Sequence, residues 1–350
     1  MFHEVFSPLG ILMIVIHSYA LAIILCCITM LCWGSWANTQ KLTGKDWPFQ
    51  LFYWDWSIGV VVLSLILAFT MGSMGTEGRP FLDDLRQADI RHLTHAFVGG
   101  VILNAGNILL IMAMSVAGMA VAFPVGIGLA LIIGVITTYH VDPTGNLVVL
   151  VLGAISIVIA ISLDALAYKR VSSQRSGNTL KGISLAILCG IISGFFYRYI
   201  AVSMPLELAN IHMPNEVGKL TPYTALVVFS LGIFLSGFIF NSIAMKLPVV
   251  GERVSYRDYF NKGNPRLHLI GISGGVIWCL GMAFSVLAGD VAGYAISYGL
   301  GQCATLVAAL WGILVWKEFK SAPKGTNKLL VAMLLFFTLG IFLIIMSRYA

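Results

Sequence analysis

The chain has 350 residues, 59% of them hydrophobic and 10% charged, with a formal net charge of +6. A soluble domain carries about 25% charge, so composition excludes a soluble globular protein and implies an integral membrane protein. The basic excess is spread over loops without interleaved aromatics, which argues against a nucleic-acid partner.

From the N-terminus, no cleavable leader is evident. The first hydrophobic run, Ile11 to Ala37, is too long for a signal h-region and has no basic n-region. Residues 1–12 add nothing a span needs, and Met13 is an alternative start. Apolar runs of the length that crosses a core roughly 30 Å thick recur ten times, at 17–37, 52–73, 93–114, 118–138, 147–167, 180–203, 222–245, 267–287, 291–316 and 328–347. The segment 74–92 mixes both charge signs and predicts a short surface helix. Segment 204–221, with Pro205, Glu207, Pro214 and Glu216, is a second excursion on the same side.

Lysines and arginines orient the spans. The loops 1–2, 3–4, 5–6, 7–8 and 9–10 carry Lys41, Lys45, Lys169, Arg170, Arg175, Lys181, Lys246, Arg253, Arg257, Lys262, Arg266, Lys317, Lys320, Lys324 and Lys328. The other side carries only Arg79, Arg86, Arg91, Arg198, Lys219 and Arg348. The lysine-rich face is therefore expected in the cytoplasm, with both termini outside an inner (plasma) membrane.

Residues 99–126 recur without a gap at 274–301, shifted by 175, with five paired glycines: Gly99/Gly274, Gly100/Gly275, Gly106/Gly281, Gly118/Gly293 and Gly126/Gly301. Five spans per repeat force the halves into opposite orientations, as in secondary transporters. The expected fold is an all-α integral membrane protein of ten transmembrane helices in two inverted five-helix repeats, residues 1–170 and 171–350.

Candidate site residues follow from polarity inside this apolar frame. Pro124 is expected to break the fourth span, matched in the ninth by the segment Tyr298 to Gln302, because paired interruptions free backbone groups for a solute. Asn104 and Asn107 share one face of the third span, and Gln302 lies in the ninth. These amides either bridge helices or bind a neutral substrate rich in N–H, C=O or hydroxyl groups. Asp55, in FYWDWS, lies near the lysine-rich end of the second span and is the candidate for proton coupling. Its bland alternative is an interfacial carboxylate facing water. Asp164 is expected to pair with Lys169 and Arg170, and Asp290 to cap a helix at the turn after the eighth span. Trp36, Trp278, Trp311, Tyr294 and Tyr298 could stack on a planar or sugar-like solute, with packing or belt residues as the alternative, and Tyr53 joins the candidate substrate-binding residues. The six cysteines show no metal or disulfide spacing and are expected to pack as small apolar residues; no cofactor is implied. GISGG at 271–275 fits GxSxG, but a hydrophobic helix offers no nucleophile elbow, and every histidine falls near a span end, so a hydrolase is not expected.

Several strings resemble the ureide permeases of plants and their bacterial relatives, in the glucose/ribose-porter branch of the drug/metabolite transporter superfamily. WGSW (Trp33 to Trp36) is similar to the family's first-helix pattern, and Tyr53, Asp55, Ser57 and Ile58 to its second. AFTMGSMG (Ala68 to Gly75) follows, and GGVILNAGN places Asn107 on the family's asparagine. YTALVVFS, Asn241 and PVVG (Pro248 to Gly251) come in the same order. The ninth-span segment from Gly293 and Tyr294 through Gln302, Trp311 and Gly312 to Glu318 completes the resemblance. Two departures stand out: the central loop is shortened to about 168–180, and Gln302 aligns only across a one-residue gap. The resemblance implies proton-coupled import of a ureide- or nucleobase-like solute such as allantoin or uracil. The alternatives are a monosaccharide transporter (glucose, rhamnose or ribose) and an exporter of the same superfamily.

Overall fold

The computed structural model describes residues 13–44, 47–75, 77–171, 179–208, 211, 213–248 and 252–350. Of those named above, residues 1–12 with Ile11, Lys45, Arg175 with the rest of 172–178 in the central loop, and Val249 to Gly251 lie outside these. All ten predicted spans are present as helices long and apolar enough to cross a membrane. The first span is α1 (Tyr19–Ser35) with α2 (Ala37–Leu42); α3 (Phe49–Phe69) is the second. The short α4 (Phe81–Gln87) is the surface helix expected in the segment 74–92. Then come α5 (Ile90–Ala117), α6 (Met119–Tyr139) and α7 (Leu147–Val171), followed by the sixth span, α8 (Thr179–Ser193) plus α9 (Phe196–Ser203). The seventh is α10 (Pro222–Lys246). A second short helix, α11 (Tyr256–Lys262), precedes α12 (Pro265–Ala292), and the ninth span is α13 (Tyr294–Gln302) with α14 (Ala304–Leu310) and a π-turn over Trp311–Val315. The tenth is α15 (Thr326–Met346).

These helices pack as a repeat shifted by 175 requires. Helix α5 lies along α8 and α10, while its counterpart α12 lies along α1 and α3; α7 and α15 pair with each other. The register holds beyond the matching sequence: α4 and α11 are 175 apart, as are α5 and α12 at both ends. Both long helices start on a side-chain cap at the same relative position, Asp89 for α5 and Asn264 for α12.

The paired glycines have a common cause. A β-carbon at Gly100 would overlap the Phe229 carbonyl of α10, and one at Gly275 would overlap the Trp56 carbonyl of α3. Without lipid-independent hydrophobic force between helices, close backbone packing of small residues supplies the adhesion. Gly118 and Gly293 serve differently. Their φ values of 79° and 94° turn the chain directly from α5 into α6 and from α12 into α13, a conformation that favours glycine.

Two expectations need correction. Helix α6 runs unbroken through Pro124, which lies in its second turn. The ring forgoes one backbone hydrogen bond in that turn, and the helix continues to Tyr139. The ninth span does break, at Cys303, and among the described residues the first span is also interrupted at Trp36 and the sixth at Gly194 and Phe195. Asp290 does not cap the ninth span. It lies in the last turn of α12 and accepts from the Leu208 amide at 2.7 Å; Asp142 receives the Tyr294 amide instead, at 3.0 Å.

Candidate functional site: a polar and aromatic centre between spans 1, 2, 3 and 8

The sequence FYWDWS coils at the start of α3 so that Tyr53, Asp55 and Trp56 project to different neighbours, because successive residues on a helix are about 100° apart. Tyr53 donates its hydroxyl to Asn104 Oδ1 at 2.8 Å, and the Asn107 amide reaches the same hydroxyl at 3.4 Å. Asn104 is fully committed: its Nδ2 donates to the Ile233 carbonyl (3.1 Å) and to Ser236 Oγ (2.8 Å) of α10. It therefore joins three spans. Asn107, one turn further on, is half-buried, and its Oδ1 accepts no hydrogen bond among the described residues.

Aromatic rings continue this centre. Tyr53 stacks on Trp56 with centroids 4.9 Å apart, and Trp56 meets Trp36 at 5.4 Å and Trp278 at 5.3 Å. Trp278 in turn stacks on Trp33 at 5.8 Å. The Trp56 indole N–H is buried and has no hydrogen-bond partner among the described residues. Leaving such a donor unpaired costs about 1–3 kcal/mol, so it is poised to receive an acceptor.

Asp55 is fully buried. It does not face water as the bland alternative supposed. Three donors from three segments converge on its carboxylate: Trp47 Nε1 from loop 1–2 at 3.1 Å, Tyr259 hydroxyl from α11 at 2.5 Å, and His268 Nδ1 from α12 at 2.8 Å. Burial pushes the Tyr259 hydroxyl well above the ordinary phenol range, and the Asp55 carboxylate adds to the shift, so Tyr259 stays a donor. Helix α11 is itself held by a capping box between Ser255 and Asp258 and by the Asp258–Lys262 ion pair at 3.0 Å. The Ser255 hydrogen bonds, with Lys262 next, pull the Asp258 carboxyl down to about 2.

A second cluster closes the lysine-rich ends of spans 1, 5 and 9. Glu318 accepts from Tyr168 at 2.6 Å and pairs with Lys41 at 2.9 Å. Burial works to raise the Glu318 carboxyl, but the Tyr168 and Lys41 contacts outweigh it and hold the group below its usual range. Trp311 donates to Ser35 Oγ at 2.8 Å and Trp316 to Asn38 Oδ1 at 2.7 Å. Asp164 makes no ion pair with Lys169 or Arg170. Its Oδ1 is buried without a hydrogen-bond partner among the described residues, because both cations lie out at the exposed end of α7.

Of the residues singled out from sequence, Tyr53, Asn104 and Asn107 thus meet directly. Trp36 joins them through Trp56, and Trp311 lies beside Trp36 through Ser35. Tyr298 is elsewhere: it is buried against Phe196 and Tyr197 and donates to the Ala130 carbonyl at 2.9 Å. Among the described residues no hydrogen bond or ring contact links Pro124 or Gln302 to this centre. Sequence reasoning missed Trp56, Trp47, Tyr259 and His268. Only Trp56 had a local signal, its place in FYWDWS; the other three reach Asp55 from separate loops and spans.

Ten apolar spans around a buried polar centre define a multi-pass membrane transporter. The sequence profile described as Ureide permease matches residues 52–176 and 162–347, and the chain belongs to the ureide permease family. It is 24% identical to ureide permease 1 of Arabidopsis thaliana over 96% of this chain and 99% of that one, and 23% identical to ureide permease 5 over 95% of each. An L-rhamnose-proton symporter of Salmonella paratyphi B is 24% identical over 69% of this chain and 72% of its own. A solved crystal structure superposes with a TM-score of 0.57 at 17% identity, covering 93% of this chain and 96% of that one; it bears on the fold alone.

Proposed function

We propose that the protein imports a small neutral solute carrying adjacent N–H and C=O groups, a ureide or nucleobase such as allantoin or uracil, together with a proton. The observations that carry this reading are the Trp56 N–H, buried without a partner among the described residues on the ring stacked against Tyr53, and Asn107, whose amide reaches the Tyr53 hydroxyl while its Oδ1 accepts no hydrogen bond among the described residues. A carbonyl and an N–H on one planar solute match a donor and an acceptor of these kinds, and the half-buried Trp36 ring offers stacking surface. The names of the plant relatives support the substrate class. Asp55 is the proton carrier in this reading, supported by its burial and by the proton-coupled bacterial relative. Lysine-rich loops then face the cytoplasm of a plasma membrane, the termini lie outside, and the two halves alternate access in opposite orientations. The rhamnose symporter keeps a monosaccharide as the second reading.

The test is uptake of labelled allantoin, uracil, rhamnose and glucose into proteoliposomes, with a thermal-shift screen of the same compounds, since a ligand that binds the folded state raises its apparent stability. Uptake of a ureide or nucleobase that collapses with an uncoupler is expected. Uptake of the sugars alone would replace the substrate reading with the second one.

A further inference from the structure

His268 stands between water and Asp55. Its side chain is 26% exposed, whereas that of Asp55 is 0% exposed, and the two are joined through Nδ1 and Oδ1. The far ring nitrogen, Nε2, abuts Gly263 just beyond α11, where a β-carbon would overlap it. Trp47 and Tyr259 flank the imidazole with centroids at 5.2 and 4.8 Å and close the remaining sides of the carboxylate. Among the described residues, the titratable groups facing Asp55 are His268 from α12 and Tyr259 from α11; Trp47 is a non-titrating donor. The charged groups of α11, Asp258 and Lys262, face each other.

We propose that His268 is the relay that loads and unloads a proton on Asp55, and that α11 is the latch this proton releases. The inference rests on the proton-coupled reading above. In the loading step Nε2 takes a proton from water at the lysine-rich face. The Nδ1–H bond breaks and an O–H bond forms on Asp55 Oδ1. The ring is left neutral with its proton on Nε2, so one proton has moved from water to the carboxylate. An imidazole suits this because one ring nitrogen can accept a proton while the other donates one. Hydrogen bonds to an ionised carboxylate are roughly twice as strong as neutral ones. Protonation therefore weakens the hold of Asp55 on Tyr259, and with it the docking of α11 over the start of α3. Release of α11 opens the lysine-rich end of spans 2 and 8.

His268→Gln separates relay from scaffold, because the amide can still donate to Asp55 but cannot carry a proton. In proteoliposomes with labelled allantoin, this variant is expected to lose about 100-fold of pH-gradient-driven uptake while the purified protein still shows an allantoin-induced thermal shift. Its residual uptake should be flat between about pH 5 and 8, and added imidazole should restore gradient-driven uptake to His268→Ala. Gradient-driven uptake equal to wild type in His268→Gln overturns the relay, as does loss of the allantoin-induced thermal shift together with uptake. A substrate-free measurement tests the latch: modification of Asp55 by a carbodiimide, read by peptide mass spectrometry, should be faster in Tyr259→Phe than in wild type. An unchanged rate overturns the latch. Wild-type uptake that ignores an uncoupler overturns the coupling reading itself, a result distinct from failure of His268 alone.

Discussion

Helices α4 and α11 occupy equivalent places 175 residues apart, on opposite faces, and hold different chemistry. Helix α4 turns Asp84 inward, where it accepts from Arg79 Nε at 2.9 Å, Gln87 at 3.1 Å and the Thr221 amide at 2.7 Å. Arg79 also donates from Nη1 to the Ile211 carbonyl and from Nη2 to the Lys219 carbonyl. The position equivalent to Asp84 is Tyr259, whose hydroxyl lies on Asp55. The lysine-poor cover is thus an arginine–carboxylate clamp whose arginine keeps its charge at any working pH. The lysine-rich cover rests on a carboxylate shared with a histidine and a phenol. Symmetry supplies two covers over the starts of α10 and α3, and in the relay proposed above side-chain chemistry makes one of them sensitive to protons.

Breaking the clamp should produce the largest effect on stability. Arg79→Gln leaves Asp84 buried without its charge partner, which costs about 3–5 kcal/mol; a thermal melt of purified protein in detergent reads it. If Arg79→Gln instead melts like wild type, the lysine-poor cover is not a structural clamp. Asp55→Asn should lower gradient-driven uptake about 100-fold, with a small change in melting, because the amide keeps acceptor capacity for Tyr259. Unchanged uptake in that variant removes Asp55 from coupling.

The two backbone crossings sharpen the comparison further. Gly100→Ala and Gly275→Ala each force a β-carbon into a facing carbonyl, and overpacking of this kind costs about 1–3 kcal/mol. Equal losses in melting temperature are expected if the crossings are equivalent; a loss in only one would show that the repeats bear load unequally. Smaller still is Tyr53→Phe, which removes one hydrogen bond to Asn104, on average about 0.6 kcal/mol inside a membrane. Last, Asp258→Asn should leave the pH profile of uptake in place. Its depressed carboxyl contributes to α11 above the unfolded value of about 3.9 and loses that contribution only as pH falls through about 2. It stays ionised throughout the working range, so a shifted profile in Asp258→Asn would move the pH response away from Asp55 and His268.

Sequence periodicity and length located every span, because a bilayer imposes the same apolar run on each one. The glycine pairs could be read in the string because close crossings tolerate no side chain. Pro124 misled because a proline marks a lost backbone bond, whether or not the surrounding bundle bends the helix there. The interruptions at Trp36 and Gly194 carry no proline and so left no mark. Asp164 illustrates the same limit: proximity in sequence to Lys169 and Arg170 did not bring the charges together, since one helical turn separates a buried face from an exposed end. Tyr53, Asn104 and Asn107 were recoverable as polar residues in apolar runs, but their meeting was not.

By itself, then, the sequence determined the class, the ten crossings, the repeat and the family, all of which depend on hydrophobicity and on residues within one helix. Only the tertiary structure decided that Asp55 is sealed by Trp47, Tyr259 and His268, that Trp56 has a donor to spare, and that α4 and α11 are counterparts. Those facts depend on side chains up to 213 positions apart converging on one carboxylate, and no local pattern records a contact of that range.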